Sequence, residues 1–161
     1  MTELFIEGGR ALLGHEILET TLRIAGREIV GTDNSHGSPG IDADGLLVLP
    51  GIVDLHGDAF ERQMMPRPGV DFPIDVALID SDRQAIGNGI TTVYHATTWS
   101  WEPGLRSADN ARKLLEAIEQ MRPQLAADTR FHLRHETYNL DAESEIIDWL
   151  SERRVDLFAF N

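Results

Sequence analysis

The sequence contains no cysteine among its 161 residues. Disulfide bonds, thiolate metal ligands and cysteine nucleophiles are therefore excluded together, and any metal ion must be held by His, Asp or Glu. Basic residues are also few: 14 Lys and Arg stand against 27 Asp and Glu, which gives a formal net charge of −13. This balance argues against a nucleic-acid-binding face, because phosphate contacts along a nucleic acid need clustered Lys and Arg. A small anionic substrate remains compatible with it.

Long apolar runs are missing as well. No stretch approaches the roughly 20 apolar residues that cross a bilayer, and the N-terminal sequence MTELFIEGG lacks the basic and apolar regions of a signal peptide. We therefore expect a cytoplasmic protein without a membrane partner. The hydrophobic content of 42% and the charged content of 25% are those of an ordinary globular protein.

Residues 1–50 predict a small β domain. Short runs rich in Ile, Leu, Val and Thr are broken by glycines, and the run TTLRIAGREIVG predicts a hairpin around Ala25-Gly26-Arg27. The following stretch, TDNSHGSPGIDADG, is dense in Gly, Ser, Asp and Asn and predicts a loop.

Residues 51–161 predict alternating strands and helices. The strands are LPGIVDLH, ITTVYHATT, TRFHLRHET and VDLFAFN, and the helices are PIDVALIDSDRQAIGNG, SADNARKLLEAIEQMRPQLAAD and DAESEIIDWLSERR. This alternation indicates parallel βαβ units. The continuous apolar run in LPGIVDLH is typical of a strand that is covered on both faces.

Two of these helices have predicted buried stripes. The stripe of the first helix is Val76, Ile79, Arg83 and Ile86, and that of the second is Leu114, Leu115, Ile118 and Met121. Ser107 is the expected N-cap of the second helix.

Four strand units fit into this region, whereas a complete (β/α)₈ barrel needs about 250 residues. We expect an α/β fold in which the small β domain precedes the first four βα units of an incomplete barrel; a doubly wound sheet of four or five strands is the alternative. Asn161 stands at a strand's carboxyl end, so we expect a truncated product, a proteolytic remnant or a shortened gene product.

The motif LPGIVDLHGDAFE contains the first candidate site. His56 and Asp58 are two residues apart at a strand end, so their side chains share a face and can converge on a metal ion. The carboxyl ends of parallel strands are also where barrels and open sheets place their chemistry. An ordinary strand end, with Asp58 capping the next loop, is an equally good interpretation of these residues alone.

The strand FHLRHE carries polar residues at every second position. Phe131 and Leu133 should face covering helices, which sends His132, Arg134 and Glu136 inward with Glu136 nearest the mouth. Inward polar residues are costly in a small core unless they line a site. A structural ion pair between Arg134 and Glu136 is the simpler alternative.

Three further residues are weaker candidates. His95 ends the second predicted strand and is a possible additional site residue, although a lone histidine there is more often a satisfied polar group. A proline-rich loop, MMPRPGVDFP, follows the His-Gly-Asp motif; Arg62 precedes this loop and Arg67 lies within it, and guanidinium groups suit phosphate oxygens. Their alternative role is to offset nearby acidic residues such as Asp58 and Glu61 on a surface loop.

The motifs together resemble the amidohydrolase superfamily of metal-dependent hydrolases. The segment LPGIVDLHGD is similar to the first barrel strand of that superfamily, where most members have His-x-His and this sequence has Asp58 as the second residue. That departure, with MPRPGVDFP, DRQAIGNGITTVYHA and FHLRHE, resembles the branch that acts in phosphonate metabolism.

The resemblance implies a fold, a site and a reaction. His56 and Asp58 would be first-strand metal ligands, and Glu136 the bridging carboxylate that replaces the carbamylated lysine of many relatives. The implied cofactor is a divalent metal, Zn²⁺ first, with Mn²⁺ or Fe²⁺ as alternatives. The implied reaction is that of a diphosphatase, which hydrolyses α-D-ribose 1-methylphosphonate 5-triphosphate to the 5-phosphate and pyrophosphate in the carbon–phosphorus lyase pathway.

Members of this branch carry further histidines and a water-activating aspartate on later strands, so we expect the 161-residue chain alone to be inactive. Two other functions stay open: hydrolysis of a cyclic amide or related C–N bond, and a non-catalytic fragment that self-associates. An unclosed barrel leaves unpaired strand edges and a half-covered apolar interior. The expected partners are therefore a phosphorylated ribose substrate and further copies of the chain.

Overall fold

The computed structural model describes residues 3–33, 36 and 40–161. The chain divides into two compact units, residues 1–50 and 51–161. Among the described residues, no helix is both long and apolar enough to span a membrane.

The first unit consists of short β-strands. They are β1 (Glu3–Glu7), β2 (Arg10–Leu13), β3 (Glu16–Glu19), β4 (Thr21–Ala25), β5 (Glu28–Asp33), β6 (Gly40–Asp42) and β7 (Leu47–Val48). In the described part of this unit they form two sheets, with strand orders β5-β4-β1-β6 and β3-β2-β7. The predicted hairpin is confirmed, because β4 and β5 pair antiparallel around Gly26, whose φ of 63° suits a residue without a side chain.

The predicted loop before residue 45 contains an additional strand. Gly40–Asp42 pairs parallel with β1, so the prediction of an uninterrupted loop was wrong there. Backbone hydrogen bonding to an exposed strand edge depends little on side-chain type, so the Gly- and Asp-rich composition concealed this strand. Residues 34, 35 and 37–39 of the predicted loop lie outside the described residues.

The second unit is a parallel sheet whose strands are connected by helices. Its elements are β8 (Ile52–Gly57), α1 (Glu61–Met64), α2 (Ile74–Gly87), β9 (Ile90–Trp99), α3 (Ala108–Met121), β10 (Asp128–His135), α4 (Glu143–Ser151) and β11 (Leu157–Phe160). The strand order is β11-β10-β9-β8, and all three pairings are parallel. A small β unit followed by the first strands of a TIM-type barrel is therefore the fold, as the sequence predicted.

The core of this unit lies between the helices and one face of the sheet. The stripe predicted for α3 is confirmed, since Leu114, Leu115, Ile118 and Met121 are all buried. Ser107 caps this helix as predicted by accepting a hydrogen bond from the backbone N–H of Asn110 at 3.1 Å.

The stripe predicted for α2 was wrong except at Ile79, which is half-buried and packs against the core. Val76 and Ile86 are 52% and 40% exposed, whereas the helix buries Ala77, Leu78, Ser81, Asp82 and Ala85. The reason is an anchoring contact: the Asp82 carboxylate accepts the backbone N–H groups of Ala126 and Ala127 at 3.0 and 2.8 Å. Because the Asp82 carboxylate is paired with these two N–H groups, it can be buried, and it therefore lies on the buried side of the helix.

Strand β8 is not buried on both faces as the sequence indicated. Ile52, Val53 and Leu55 are each more than half exposed. Within the described residues, β8 is the end strand of its sheet and pairs only with β9. A continuous apolar run therefore does not show by itself that both faces of a strand are covered.

Candidate metal centre on the inner face of the parallel sheet

The register of the parallel strands assigns each side chain to a face. Phe131 and Leu133 of β10 are fully buried among the helices, as predicted. Alternating residues of a strand point to opposite faces, so His132 and Arg134 lie on the other side. We call this side the inner face; it is defined by His132, Arg134 and the residues in register with them on neighbouring strands.

Two histidines meet on the inner face. The rings of His56 in β8 and His132 in β10 have centroids 5.3 Å apart at an interplanar angle of 79°. His56 is exposed, whereas His132 is 4% exposed. The pKa of His132 is lowered, first by burial and further by the charges of His56 and Arg134, although a hydrogen bond to Leu55 opposes the shift. This pair stands near the carboxyl ends of the strands, where sheets of this kind place their chemistry.

Asp58 follows directly after β8 and is exposed. Its carboxylate acts on Glu61, the first residue of α1. The pKa of Glu61 is raised, chiefly because burial disfavours the charged carboxylate and secondly because of the Asp58 charge; Arg106 and Arg134 oppose the shift. Two acidic side chains therefore interact just beyond the strand that carries His56.

Glu136 is held in a network at the ends of β10 and β11. Its Oε1 accepts a hydrogen bond from Nδ2 of Asn161, while Oδ1 of the same amide accepts one from Arg134 at 2.7 Å. The simple ion pair considered between Arg134 and Glu136 is thus replaced by an Asn161 bridge. The bridge fixes the orientation of both charged groups without a direct contact between them.

His95 lies on the opposite, helix-facing side of the sheet. It is in register with Phe131, it is 4% exposed, and its ring packs edge-on against Phe60 with centroids 4.9 Å apart. Burial lowers the pKa of His95 to about 4, against the opposing charges of Asp54 and Asp82. The structure therefore does not bring His95 together with the histidine pair of the inner face.

The two arginines predicted to bind phosphate are exposed. Arg62 lies in α1 and lines a groove together with Phe72, which precedes α2, and Arg83, which lies in α2. Arg67 follows in the loop, where it forms an isolated bridge with Val70. Phosphate binding by Arg62 and Arg67 stays a prediction.

The donor types of the inner face fit a divalent ion. Imidazole nitrogens and carboxylate oxygens are ligands that Zn²⁺, Mn²⁺ and Fe²⁺ accept in proteins. Nε2 of His132 is buried and has no hydrogen-bond partner among the described residues, as expected of a nitrogen that awaits a ligand. Within those residues no group of three or more His, Asp or Glu side chains is close enough to hold an ion, so convergence of His56, Asp58 and Glu136 stays a prediction.

The sequence placed His132 among the inward residues that could line a site but predicted no ligand role for it, and it predicted no role for Asn161 or Glu61. The period-two pattern had already turned His132 inward, and its parity with Arg134 was the available signal. No comparable signal existed for Asn161, whose two hydrogen bonds depend on the register of β11 against β10. Glu61 resembled an ordinary loop acid until its burial was known.

The chain is similar to several known proteins. No protein-family model matches the chain. It is 31% identical over 138 residues to α-D-ribose 1-methylphosphonate 5-triphosphate diphosphatase of Escherichia coli (strain K12), which is 83% of this chain and 36% of that protein. It is 30% identical over 96 residues to dihydroorotase of Citrifermentans bemidjiense, or 56% of this chain and 21% of that protein.

Solved structures show the same fold. A D-hydantoinase matches 94% of this chain and 31% of its own length with a TM-score of 0.64 at 22% identity. A dihydropyrimidinase from Brevibacillus agri NCHU1002 matches 98% of this chain and 32% of its own length with a TM-score of 0.64 at 18% identity. The chain thus spans about a third or less of the length of these relatives.

Proposed function

We propose that this chain is part of a divalent-metal hydrolase. The proposal starts from its relatives, which support membership of the amidohydrolase superfamily. The observation that carries the proposal is the meeting of His56 and His132 on the inner face, near the carboxyl ends of parallel strands. The finer proposal is that the protein cleaves the triphosphate of α-D-ribose 1-methylphosphonate 5-triphosphate to give the 5-phosphate and pyrophosphate. The 31% identity to a diphosphatase over 83% of this chain supports that choice.

His56, Asp58 and Glu136 are the proposed metal-holding residues. A bound divalent ion supplies Lewis acidity towards a phosphoryl oxygen and lowers the pKa of water. The protein's own contribution is orientation: Asn161 holds the Glu136 carboxylate and the Arg134 guanidinium in fixed positions. His132 is buried beside the exposed ring of His56, so the pair has one enclosed and one accessible imidazole.

Cationic side chains are needed for a substrate that carries a triphosphate. Arg62 and Arg67 are the proposed phosphate contacts, since guanidinium groups bind phosphate oxygens through two hydrogen bonds. Arg134 is a third candidate, because its charge acts on both His132 and Glu61 near the proposed centre. In a chain of net charge −13, such local cations would decide whether an anionic substrate can approach.

The test is an assay of pyrophosphate release from the ribose triphosphate by the product of the complete reading frame that contains this sequence. We expect turnover that needs Zn²⁺ or Mn²⁺ and falls at least about 100-fold in His56→Asn, because a metal contact is lost. His15→Asn, an exposed histidine of the β unit, is the matched control and should leave turnover unchanged.

Two results would contradict the proposal. The first is turnover of the triphosphate that is unaffected by a chelator and by His56→Asn. The second is no release of pyrophosphate from the metal-loaded protein under conditions in which it hydrolyses another substrate class. A loss of binding in Arg67→Ala without a change in bound metal would support the assignment of the phosphate contacts.

A second candidate activity is hydrolysis of a cyclic amide. It is supported by the match to D-hydantoinase and dihydropyrimidinase structures and by the 30% identity to a dihydroorotase. Hydrolysis of hydantoin or dihydrouracil, measured in the same metal-loaded preparation, separates the two activities. The amide candidate requires no phosphate-binding arginine, so Arg62→Ala and Arg67→Ala would leave it intact.

The 161-residue chain alone is proposed to have little or no hydrolase activity. Its described residues lack a cluster of three potential metal ligands, whereas a catalytic zinc usually takes three protein ligands and water. Self-association through the exposed strand β8 is a companion proposal, because this edge presents apolar side chains and unpaired backbone groups.

A further inference from the structure

The His132 side chain spans the width of one strand. β9 separates β10 from β8, yet Nδ1 of His132 lies 3.0 Å from the carbonyl oxygen of Leu55 in β8. The residue of β9 in register with His132 is Ala96. Because Ala96 has only a methyl group, the imidazole can lie across β9 and reach the next strand.

An irregularity of β8 makes this contact possible. The register between β8 and β9 shifts between Asp54 and Gly57, which releases the intervening backbone from the regular ladder. The N–H of His56 donates to Oδ1 of Asp54 at 2.9 Å, while the carbonyl of Leu55 accepts from His132. Both backbone groups are thereby satisfied, and the strand segment that carries His56 is tied to His132.

The contact with Leu55 determines the tautomer of His132. A carbonyl oxygen can only accept a hydrogen bond, so Nδ1 carries the proton and Nε2 of the neutral ring carries a lone pair. That Nε2 is buried and has no hydrogen-bond partner among the described residues. A buried, unpaired acceptor costs about 1–3 kcal/mol unless something binds it.

Such an arrangement is typical of a metal-binding histidine. Ligating imidazoles donate their second ring N–H to a carbonyl or carboxylate, which orients the ring and raises the basicity of the ligating nitrogen. In this chain the carbonyl is that of Leu55, and the neighbouring ring is that of His56 at 5.3 Å between centroids.

We propose that His132 is a metal ligand that acts together with His56, and that this pair binds a divalent transition ion such as Zn²⁺ on the inner face. The inference rests on the proposed metal hydrolase and adds a ligand to the set of His56, Asp58 and Glu136. Two imidazoles favour Zn²⁺ over Mg²⁺ or Ca²⁺, which prefer oxygen ligands. The competing role for His132 is a purely structural strut between β10 and β8.

The direct test is a titration of the metal-free 161-residue chain with Zn²⁺, monitored by two-bond ¹H–¹⁵N correlation spectra of the imidazoles. We expect the Nε2 signals of His132 and His56 to shift on saturation with Zn²⁺, while those of exposed His15 stay unchanged. Resonances of His132 that remain unmoved at saturating Zn²⁺ would overturn the inference. This measurement needs no substitution and hence no assumption about the folding of a variant.

A variant separates the ligand from the strut. In His132→Gln the side-chain amide can still donate to Leu55, but the ring nitrogen is gone. We expect the dissociation constant for Zn²⁺, measured by calorimetry, to rise at least about tenfold, with the unfolding temperature of the metal-free chain close to that of the parent. An unchanged dissociation constant would mean that His132 is not a ligand and has only the structural role of connecting β10 to β8.

The outcome is independent of the catalytic assay. Zn²⁺ binding that depends on His132, in a protein that does not hydrolyse the ribose triphosphate, would refute the proposed diphosphatase and support the metal site. A protein that hydrolyses the ribose triphosphate, but whose His132→Gln variant binds Zn²⁺ with unchanged affinity, would support the proposed diphosphatase and refute the role of His132 as a ligand.

Discussion

The two faces of the parallel sheet are built from alternate residues of the same strands and are organised in opposite ways. On the helix-facing side, Phe131 and Leu133 are fully buried in a continuous apolar cluster with Trp99 and Trp149. On the inner face, the residue between them is His132, whose neighbour across the sheet is another histidine. One face carries the packing that stabilises the unit, and the other carries imidazole and guanidinium side chains, to which we assign the proposed metal centre.

This contrast teaches how one strand serves both purposes. A period of two lets FHLRH place apolar and polar side chains on opposite sides without interrupting the strand. Because the apolar residues on the helix-facing side supply the packing, the residues on the other side need not be apolar. The contrast makes quantitative predictions about each face.

The largest expected effect separates two adjacent residues of β10. Phe131→Ala should lower the free energy of unfolding by about 3–5 kcal/mol, since a fully buried ring leaves a cavity. His132→Ala should cost less, about 1–3 kcal/mol, because it leaves the Leu55 carbonyl without its donor. Urea unfolding of both variants at neutral pH measures the difference. Equal losses would mean that the two faces contribute alike to stability.

The second prediction concerns the histidine on the helix-facing side. The pKa of His95 is about 4 in the folded chain and 6.5 in its ordinary state. The unfolded chain therefore gains this proton first, so stability is complete above about pH 6.5 and falls as the pH drops towards 4. At 1.36 kcal/mol per pKa unit, the loss amounts to about 3 kcal/mol.

The check is urea unfolding at about pH 7 and about pH 4.5. His95→Phe should flatten the difference between the two conditions, because it removes the buried titrating ring. His15→Gln, an exposed histidine of the β unit, is the control and should retain the parent's pH dependence. A parent-like slope in His95→Phe would show that other groups cause the acid sensitivity.

A third, smaller effect is expected at the polar anchor of the helix-facing side. Asp82→Ala should lower the free energy of unfolding by about 1–3 kcal/mol, because the N–H groups of Ala126 and Ala127 lose their acceptor. Asp80→Ala on the exposed side of α2 should change it by less than about 0.5 kcal/mol. The account of α2 fails if the two aspartates prove equally important.

The smallest effect is expected for an ion pair at the surface of the helix layer. Arg112 of α3 holds Glu145 of α4 through two hydrogen bonds of 2.8 and 2.7 Å, and the bond from Arg112 is the main reason why the pKa of Glu145 is lowered. The stabilisation is present above the ordinary carboxyl pKa and is lost as the pH falls through the lowered value.

Because both side chains are more than a third exposed, Glu145→Gln should cost only about 0.3–1 kcal/mol, and the effect should shrink in high salt. Glu143→Gln, an exposed acid of the same helix, is the matched control. Unfolding curves in low and high salt test this, and a salt-independent loss would point to packing in place of charge.

Much of the fold could be predicted from the sequence, because in most elements the apolar residues of the sequence pattern are the residues that the structure buries. Helix α3 has a clean apolar stripe and a Ser107 cap, and the structure contains both. Helix α2 was misassigned because its buried side includes Asp82, whose favourable environment exists only when the segment before β10 supplies two N–H groups. No local pattern encodes that partner, which lies more than 40 residues away.

His132 and His95, both buried, show which part of the site could be predicted from local sequence and which part needed the strand register. His132 has flanking residues Phe131 and Leu133 that fix its face, so parity alone turned it inward. His95 has small or polar neighbours on both sides in YHATT, and only its register with Phe131 assigns it to the helices. The register shift in β8, which presents the Leu55 carbonyl to His132, has no signal in the sequence.

The most direct test of the inner face as a metal centre is an anomalous difference map from crystals of the chain soaked in Zn²⁺. The account predicts a peak at about 2.0–2.1 Å from a ring nitrogen of His56, on the side of the sheet that carries His132. A map whose peaks lie only at other histidines, such as His15 or His95, would contradict it.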